Sequence, residues 1–263
     1  MQRQIEAASA YEALFVPALF GQFAPKLADA ARVGKGERVL DVACGTGILA
    51  RESLRRVGPS GRVVGIDPVP GMIEVAKQIA PDVEWRQGKA ESLPFPDELF
   101  DAVVSQFGLM FFMDRAQAIQ EMLRVLSPTG RLAVAVWDSL QNIPAYALAV
   151  ELLQRTAGQQ AADALRAPFA LGDRNELRKM FSEADAKSIE VTTHPGTALF
   201  PSIRIMVEAD LRGWLPMMGI TLPEEQISQI LHEAEAALGA YATSDDQIRF
   251  DVSAHIVTGR KSL

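Results

Sequence analysis

The chain has one cysteine, Cys44, and three histidines among 263 residues. A single cysteine cannot form an intrachain disulfide, which makes a reducing compartment the expected environment. The histidines are His194, His232 and His255. None of them has a histidine, cysteine or acidic partner at metal-ligand spacing, so the sequence predicts no metal site.

Long apolar runs and an excess of positive charge are also missing. No apolar run approaches the ~20 residues that span a bilayer, so we expect no stable membrane association. The net charge of −7 and the pI near 5.1 argue against a surface that binds DNA, RNA or anionic lipid. Glu6 and Glu12 interrupt the basic-then-apolar pattern that a signal peptide requires. We therefore expect a cytoplasmic protein.

Apolar residues recur in a pattern that predicts seven strands. The predicted strands are 38–42, 63–66, 83–87, 100–105, 132–137, 187–193 and 248–259. Because helices alternate with the first five strands, the pattern favours an α/β fold with a parallel sheet. Helical sequence also fills 139–185 and 199–247, where it can cover one edge of that sheet. The late apolar residues Trp214, Met217 and Met218 are interpreted as core.

The most informative stretch runs from Arg38 to Ala50, where an apolar strand ends and a small-residue turn opens a helix. The turn contains Gly45 and Gly47, which are small because a side chain there would collide with a ligand above the strand. The first amides of the helix point at the same place. Asp67 ends a second strand 20 residues beyond Gly47, a distance at which a carboxylate binds a ribose diol. These features predict a nucleoside-binding site.

Four sequence blocks, in a fixed order, carry a resemblance to a known family. They are LDVACGTGIL (40–49), VVGIDPVPGMIEVAK (63–77), GKAESLPFPDELFDAVVSQFGLMFF (88–112) and EMLRVLSPTGRLAVAVW (121–137). The chain resembles the class I S-adenosylmethionine-dependent methyltransferases, in particular the small-molecule branch that includes the ubiquinone and menaquinone C-methyltransferases. The resemblance covers roughly the first half of the chain. It implies a Rossmann-like, mostly parallel seven-stranded sheet with helices on both faces and helical cap insertions.

The resemblance also implies S-adenosyl-L-methionine as cofactor, S-adenosyl-L-homocysteine as product, and a set of binding residues. Those expected around the methionine part are Asp41, Ala43, Gly45 and Gly47. Those expected around the ribose and adenine are Asp67, Met72, Ala90 and Glu91. Those expected beside the amino group and the transferable methyl are Ser105, Gln106 and Phe107. Lys89 replaces an aspartate that commonly meets the adenine and is left out.

We expect a single methyltransferase domain over residues 1–263. Its predicted parts are an N-terminal helical lid (1–31), a cofactor-binding core (32–138), a helical insertion (139–186) and a helical cap between the last two strands (199–247). The predicted activity is methyl transfer to a small, fairly apolar acceptor by in-line displacement, for which alignment and exclusion of water are the main requirements. His194 is the best candidate for a general base. Oxygen, nitrogen, carbon and sulfur acceptors stay open, as does the oligomeric state.

Two other functions are weighed against this one. Gly45 to Ala50 also fit the G-x-G-x-x-A pattern of NAD-dependent oxidoreductases. However, Asp41 would repel a pyrophosphate, whereas a sulfonium that carries an ammonium group favours this carboxylate. A non-catalytic S-adenosylmethionine-binding protein is the other alternative, because a fold does not fix a function. The strand end Ser105-Gln106-Phe107 lacks the Asn/Asp-Pro-Pro-aromatic sequence of DNA-modifying relatives, so no nucleic acid partner is expected.

Overall fold

The computed structural model describes residues 1–261, and its centre is a seven-stranded sheet with the order β3-β2-β1-β4-β5-β7-β6. The strands are β1 (Arg38–Val42), β2 (Arg62–Asp67), β3 (Glu84–Gln87), β4 (Phe100–Gln106), β5 (Leu126–Trp137), β6 (Lys187–Phe200) and β7 (Ile248–Arg260). Strands β1 to β5 are parallel, and β7 runs antiparallel to both β5 and β6. The predicted Rossmann-like, mostly parallel seven-stranded sheet is confirmed.

Helices fill the connections between the strands. They are α1 (Gln2–Phe15), α2 (Phe23–Ala30), α3 (Ile48–Val57), α4 (Pro70–Ile79), α5 (Arg115–Arg124), α6 (Pro144–Ala157), α7 (Gln159–Arg166), α8 (Arg174–Glu183), α9 (Ile203–Ala209), α10 (Leu215–Met217) and α11 (Glu224–Ala237). Two π-helical turns, Val16–Phe20 and Asp210–Trp214, extend α1 and α9. Within residues 1–261, none of the helices combines the length and apolarity needed to cross a membrane.

The sheet reverses its strand order between β1 and β4, and this position fixes where a ligand can bind. The chain runs outward from β1 through β2 to β3, then crosses back to place β4 on the other side of β1. In open α/β sheets, ligands bind at the carboxyl ends of the strands beside such a reversal. Asp41 on β1 lies opposite Gly65 on β2 and Val104 on β4, so all three strands deliver their ends to one crevice.

The N-terminal helices cover this crevice. A Cβ on Gly71, in the first turn of α4, would lie 2.5 Å from the Gln4 backbone, so α1 packs directly on α4. A Cβ on Gly196 of β6 would lie 2.7 Å from the Phe23 ring, so α2 lies against the opposite edge of the sheet. The N-terminal segment therefore extends over the sheet from α4 to β6. The division into lid, core, insertion and cap stays a prediction.

Several element boundaries differ from those predicted, for reasons connected with proline and exposure. Strand β6 continues past the predicted end at 193 and through Pro195, because an edge strand tolerates a residue without an amide hydrogen. Pro25 does not break α2, since it lies in the first turn, where the missing amide has no intrahelical partner to lose. The core interpretation of Met217 and Met218 is wrong, because these side chains are 56% and 40% exposed.

Candidate cofactor site

The turn between β1 and α3 has an unusual backbone. Ala43, Gly45 and Gly47 have φ angles of 57°, 55° and 90°, in the left-handed region that favours glycine. A Cβ on Gly47 would overlap the Trp85 indole, whereas a Cβ on Gly45 would meet no protein atom within 4 Å. The collision that explains a small residue at Gly47 is therefore with the protein itself. Only Gly45 borders open space that a ligand can enter.

Asp41 supplies a buried carboxylate to the same crevice. Its exposed fraction is 1%, and neither carboxylate oxygen has a hydrogen-bond partner among residues 1–261. Burial raises the pKa of the Asp41 carboxyl well above its usual range, and the negative charge of Asp67 adds to this effect. The Ala50 amide and the positive charge of Arg51 lower this pKa, but neither group lies in hydrogen-bond geometry with the Asp41 oxygens. An unpaired buried carboxylate is costly, so this position calls for a donor from outside the protein.

Asp67 lies at the end of β2 and behaves differently from Asp41. Its Oδ2 accepts a hydrogen bond of 2.9 Å from the Gly45 amide, and its Oδ1 accepts one of 2.9 Å from the Val69 amide. Burial raises the pKa of this carboxyl as well, while these two amides lower it. Asp67 thus holds the glycine turn against the tip of β2. Each oxygen keeps further acceptor capacity, and ribose binding stays a prediction.

The end of β4 brings three predicted residues to the turn. Ser105 is fully buried, and its hydroxyl has no partner within the described part of the chain. Gln106 donates from Nε2 to the Phe20 carbonyl at 3.2 Å, which leaves its Oε1 buried and unpartnered. Phe107 has a φ of 57°, a rare angle for a bulky residue, and such strain is concentrated at functional sites. A Cβ on Gly108 would lie 2.6 Å from the Ala43 Cβ, so the β4 end touches the glycine turn.

The residues expected near the adenine lie on the β2 and β3 side of the crevice. Met72 is half-buried in the first turn of α4, and Ala90 is buried. Glu91 accepts hydrogen bonds at Oε1 from the Met113 amide (2.8 Å) and the Asp114 amide (3.4 Å). Glu91 therefore fixes the loop after β4 through one of its oxygens. Adenine contact by Met72, Ala90 and Glu91 stays a prediction.

The N-terminal helix adds two residues that no sequence motif marks. Glu12 pairs through Oε1 with Arg51 Nη2 at 2.7 Å, and Arg51 Nη1 also donates to the Thr46 carbonyl at 2.8 Å. Arg51 thus connects α1 to the glycine turn. Tyr11, on the same helix, has its pKa raised by burial and by the charges of Asp67, Glu12 and Asp41. Only the packing of α1 across the crevice brings these residues to the site, which is why sequence reasoning missed them.

Unpartnered oxygens collect around this crevice. Within residues 1–261, the buried side-chain oxygens without a partner at this location are Glu12 Oε2, Asp41 Oδ1 and Oδ2, Thr46 Oγ1, Ser105 Oγ and Gln106 Oε1. The carboxylate and amide oxygens in this set accept hydrogen bonds but cannot donate them. The site therefore fits a ligand that is rich in donors and positively charged. It does not fit a phosphate.

Two of the three histidines, His194 and His255, lie on the strands beyond β5, whereas His232 lies on α11. His194, on β6, is half-buried and lies 2.9 Å from the Thr192 hydroxyl through Nε2. Burial lowers its pKa, and the charge of Lys26 lowers it further. Its role as a general base stays a prediction. His255 is a satisfied core residue, with Nε2 3.0 Å from the Gly172 carbonyl and 3.1 Å from Asp138 Oδ1.

Comparisons with known proteins agree with this geometry. Residues 40–134 match the family model described as a methyltransferase domain. The ubiquinone/menaquinone biosynthesis C-methyltransferase of Pseudomonas entomophila is 46% identical over 116 residues, which is 42% of this chain and 45% of the relative. The chain thus aligns with a little under half the length of the curated relatives it matches.

Two solved structures share the fold. The YcgJ protein of Bacillus subtilis superposes with a TM-score of 0.60 at 21% identity, covering 92% of this chain and 99% of its own. A putative methyltransferase from an antibiotic biosynthesis pathway of Anabaena variabilis gives 0.63 at 16% identity, covering 94% and 98%. Residues 40–134 thus match a methyltransferase domain, and the predicted resemblance of this part of the chain to the class I S-adenosylmethionine-dependent methyltransferases is confirmed.

Proposed function

We propose that the protein transfers a methyl group from S-adenosylmethionine to a small, fairly apolar acceptor. The observation that carries the proposal is the set of unpartnered acceptor oxygens around the glycine turn, above all the two of Asp41. S-adenosylmethionine brings an ammonium with three N–H donors, a sulfonium charge and two ribose hydroxyls. A nicotinamide dinucleotide would bring a doubly charged pyrophosphate to the same carboxylates, which Coulomb repulsion disfavours. The donor set therefore supports S-adenosylmethionine over NAD.

In this proposal, different residues of the site bind different parts of S-adenosylmethionine. Asp41 and Glu12 are the carboxylates available to the ammonium group, since each retains at least one buried oxygen without a partner. Asp67 is the acceptor for the ribose diol, at the end of β2. Gly45 leaves room above the turn because no protein atom lies within 4 Å of its Cβ position. S-adenosylmethionine, when bound, supplies an activated methyl group on a sulfonium, so the protein's task is alignment.

An aromatic layer beside the β4 end supports an apolar acceptor. Phe107 stacks on Trp137 with 3.9 Å between ring centroids and 9° between ring planes. Phe20 and Phe23, from the N-terminal segment, pack on this pair at centroid distances of 5.4–5.8 Å. Tyr11 stacks on Phe20 at 5.3 Å and connects the layer to the carboxylates. A layer of this kind binds apolar surface and keeps water from the reacting groups.

Calorimetry with S-adenosylhomocysteine and with NAD tests the cofactor assignment directly. We expect S-adenosylhomocysteine to bind with a Kd at least about a hundredfold lower than that of NAD, because the electrostatic preference is worth several kcal/mol. Equal affinities or a preference for NAD would contradict the proposal. Incubation with methyl-labelled S-adenosylmethionine and a panel of phenols, quinols, amines and thiols then tests transfer. Cofactor binding without turnover of any acceptor would favour the non-catalytic alternative.

A further inference from the structure

A second buried carboxyl, outside the cofactor crevice, has no hydrogen-bond or ion-pair partner among residues 1–261. Asp210 lies in the π-helical turn Asp210–Trp214, between β6 and β7, and its exposed fraction is 6%. Burial alone raises the pKa of its carboxyl to about 8, with no hydrogen bond or cation among residues 1–261 to offset it. The nearby cation Arg212 is exposed and pairs with Glu208 and Glu224. A lone buried carboxyl and a π-helical turn are both features of functional sites.

Tyr146 is a second buried polar side chain, and it lies on a different segment. It belongs to α6, is 5% exposed, and the charge of Asp210 raises the pKa of its buried phenol. In the described part of the chain, no hydrogen bond joins these two groups. A carboxyl and a phenol from two segments are therefore near enough for the charge of one to affect the other. Each retains hydrogen-bonding capacity that the described protein atoms do not use.

The same sheet face connects this pair to the aromatic layer. Trp137 on β5 lies opposite Ala254 on β7, and Phe250 lies an even number of residues from Ala254, so Trp137 and Phe250 point to one side. The Tyr146 ring contacts Phe250 edge-on, with 5.6 Å between centroids. Tyr146 thus packs at the far end of the apolar surface that starts at Trp137, and the charge of Asp210 reaches its phenol.

The π-helical turn also reaches back to the cofactor side. Its last residue, Trp214, packs against Phe111 in the loop after β4, with 5.2 Å between ring centroids. Phe111 lies in the turn that follows Phe107, and Phe107 is the first residue after β4, beside the glycine turn. The segment that carries Asp210 therefore spans the distance between the β7 side of the sheet and the β4 loop. A molecule lying on the aromatic layer would have this segment as its far wall.

We propose that Asp210 and Tyr146 form the polar end of the acceptor pocket, where they bind an O–H or N–H group on an otherwise apolar acceptor. This inference rests on the proposed function, because the pocket has a role only if a methyl acceptor occupies it. The pair accepts a hydrogen bond at the carboxyl and donates or accepts one at the phenol. An acceptor without such a group would leave the carboxyl buried and unpaired, which disfavours its binding.

The test uses the full-length protein saturated with S-adenosylhomocysteine and three probes of similar size: 4-propylphenol, 4-propylaniline and propylbenzene. Ligand-observed NMR titration gives the Kd of each probe. We expect the phenol or the aniline to bind about tenfold more tightly than propylbenzene, the gain of one hydrogen bond in a desolvated site. The two polar probes distinguish a hydroxyl acceptor from an amine acceptor. Absence of any preference in the wild-type protein, including absence of binding by all three probes, would overturn the inference.

Variants connect the preference to the two residues. We expect Asp210→Leu to abolish the preference, Asp210→Asn and Tyr146→Phe to reduce it, and the exposed Asp251→Asn to leave it unchanged. Each variant should bind S-adenosylhomocysteine within about twofold of the wild type, because Asp210 and Tyr146 lie outside the cofactor crevice. If Asp210→Leu retains the preference, or if Asp251→Asn removes it, the inference is wrong. Failure of the wild type to bind S-adenosylhomocysteine would instead refute the proposed function. If Asp210→Leu does not fold, Asp210→Asn and Tyr146→Phe decide the outcome.

Discussion

The unpaired carboxylate of Asp41 leads to a prediction with two effects of opposite sign. We expect Asp41→Asn to weaken cofactor binding and, in the absence of ligand, to stabilise the fold. A hydrogen bond to a charged group is worth about 1.5–3 kcal/mol, so losing one from the ammonium group raises the Kd of S-adenosylhomocysteine roughly 10- to 150-fold. The free protein, in contrast, is relieved of a buried carboxylate that has no partner within residues 1–261, a gain of about 1–3 kcal/mol.

The stabilisation by Asp41→Asn should depend on pH, and the direction of this dependence follows from the raised pKa of Asp41. Because burial raises the pKa of Asp41, the folded protein holds the proton more tightly than the unfolded chain. This contribution to stability is complete below the ordinary pKa of 3.8 and is lost as the pH rises toward the folded-state pKa. The advantage of Asp41→Asn over the wild type should therefore increase from pH 5 to pH 8. Urea unfolding at these two pH values measures it.

A matched control separates this effect from the loss of any acidic residue. Asp101 is paired with Arg38 at 2.8 Å, and that hydrogen bond lowers the pKa of its carboxyl. Asp101→Asn should lower stability by about 0.2–1 kcal/mol, as for a partly exposed ion pair, and leave calorimetric binding of S-adenosylhomocysteine unchanged. The reasoning is refuted if Asp41→Asn binds within twofold of the wild type, or if it is less stable than the wild type at pH 8 without ligand.

Further predictions concern the turn, the N-terminal helix and the second buried carboxyl. Gly47→Ala should lower stability by about 2–4 kcal/mol in urea unfolding, because it combines a steric overlap with a φ of 90°, whereas Gly45→Ala should cost only about 1–2 kcal/mol. Glu12→Gln should speed the release of S-adenosylhomocysteine in stopped-flow experiments by about 3- to 10-fold, since it weakens the pairing with Arg51; an unchanged rate would mean that this pair does not hold α1 closed. Between pH 4 and pH 8 the wild type should lose up to ~6 kcal/mol of stability as Asp210 ionises, because its folded-state pKa of about 8 exceeds the unfolded value of 3.8. The variant Asp210→Asn should lack this part of the pH dependence of stability.

The sheet is predictable from the sequence because its central strands are buried on both faces. Strands such as Phe100–Gln106 contain a short apolar run, here Ala102 to Val104, and their order along the chain follows from the alternation with helices. The long antiparallel pair β6 and β7 is less visible. Its partners are separated by the 47 residues from 201 to 247, so no local pattern sets their register. Strand β6 also continues through Pro195, beyond its predicted end at 193. This is possible because an edge strand needs no hydrogen bond from the amide hydrogen that proline lacks.

The site is predictable only where the residues belong to a turn or a strand end. Asp41 and Gly45 are close in sequence, and Asp67 lies just beyond Gly65, the β2 partner of Asp41, so parallel pairing brings the three together. Tyr11 and Glu12 are connected to the site only by the packing of α1 on α4. Amphipathic spacing shows which face of such a helix is buried, but it does not show against which element.

The two strand-end carboxylates illustrate what a motif leaves undetermined. In the sequence, Asp41 and Asp67 are equivalent, since each is an acid at the end of an apolar strand beside the same crevice. In the structure, Asp67 accepts hydrogen bonds from two backbone amides and holds the turn, while neither oxygen of Asp41 has a hydrogen-bond partner among residues 1–261. The difference arises because the turn folds back over β2 and delivers the Gly45 amide to its tip. Since the fold satisfies one carboxylate and leaves the other buried and unpaired, Asp67 contributes to the shape of the free site, and Asp41 reaches its lowest free energy only when a cation is bound.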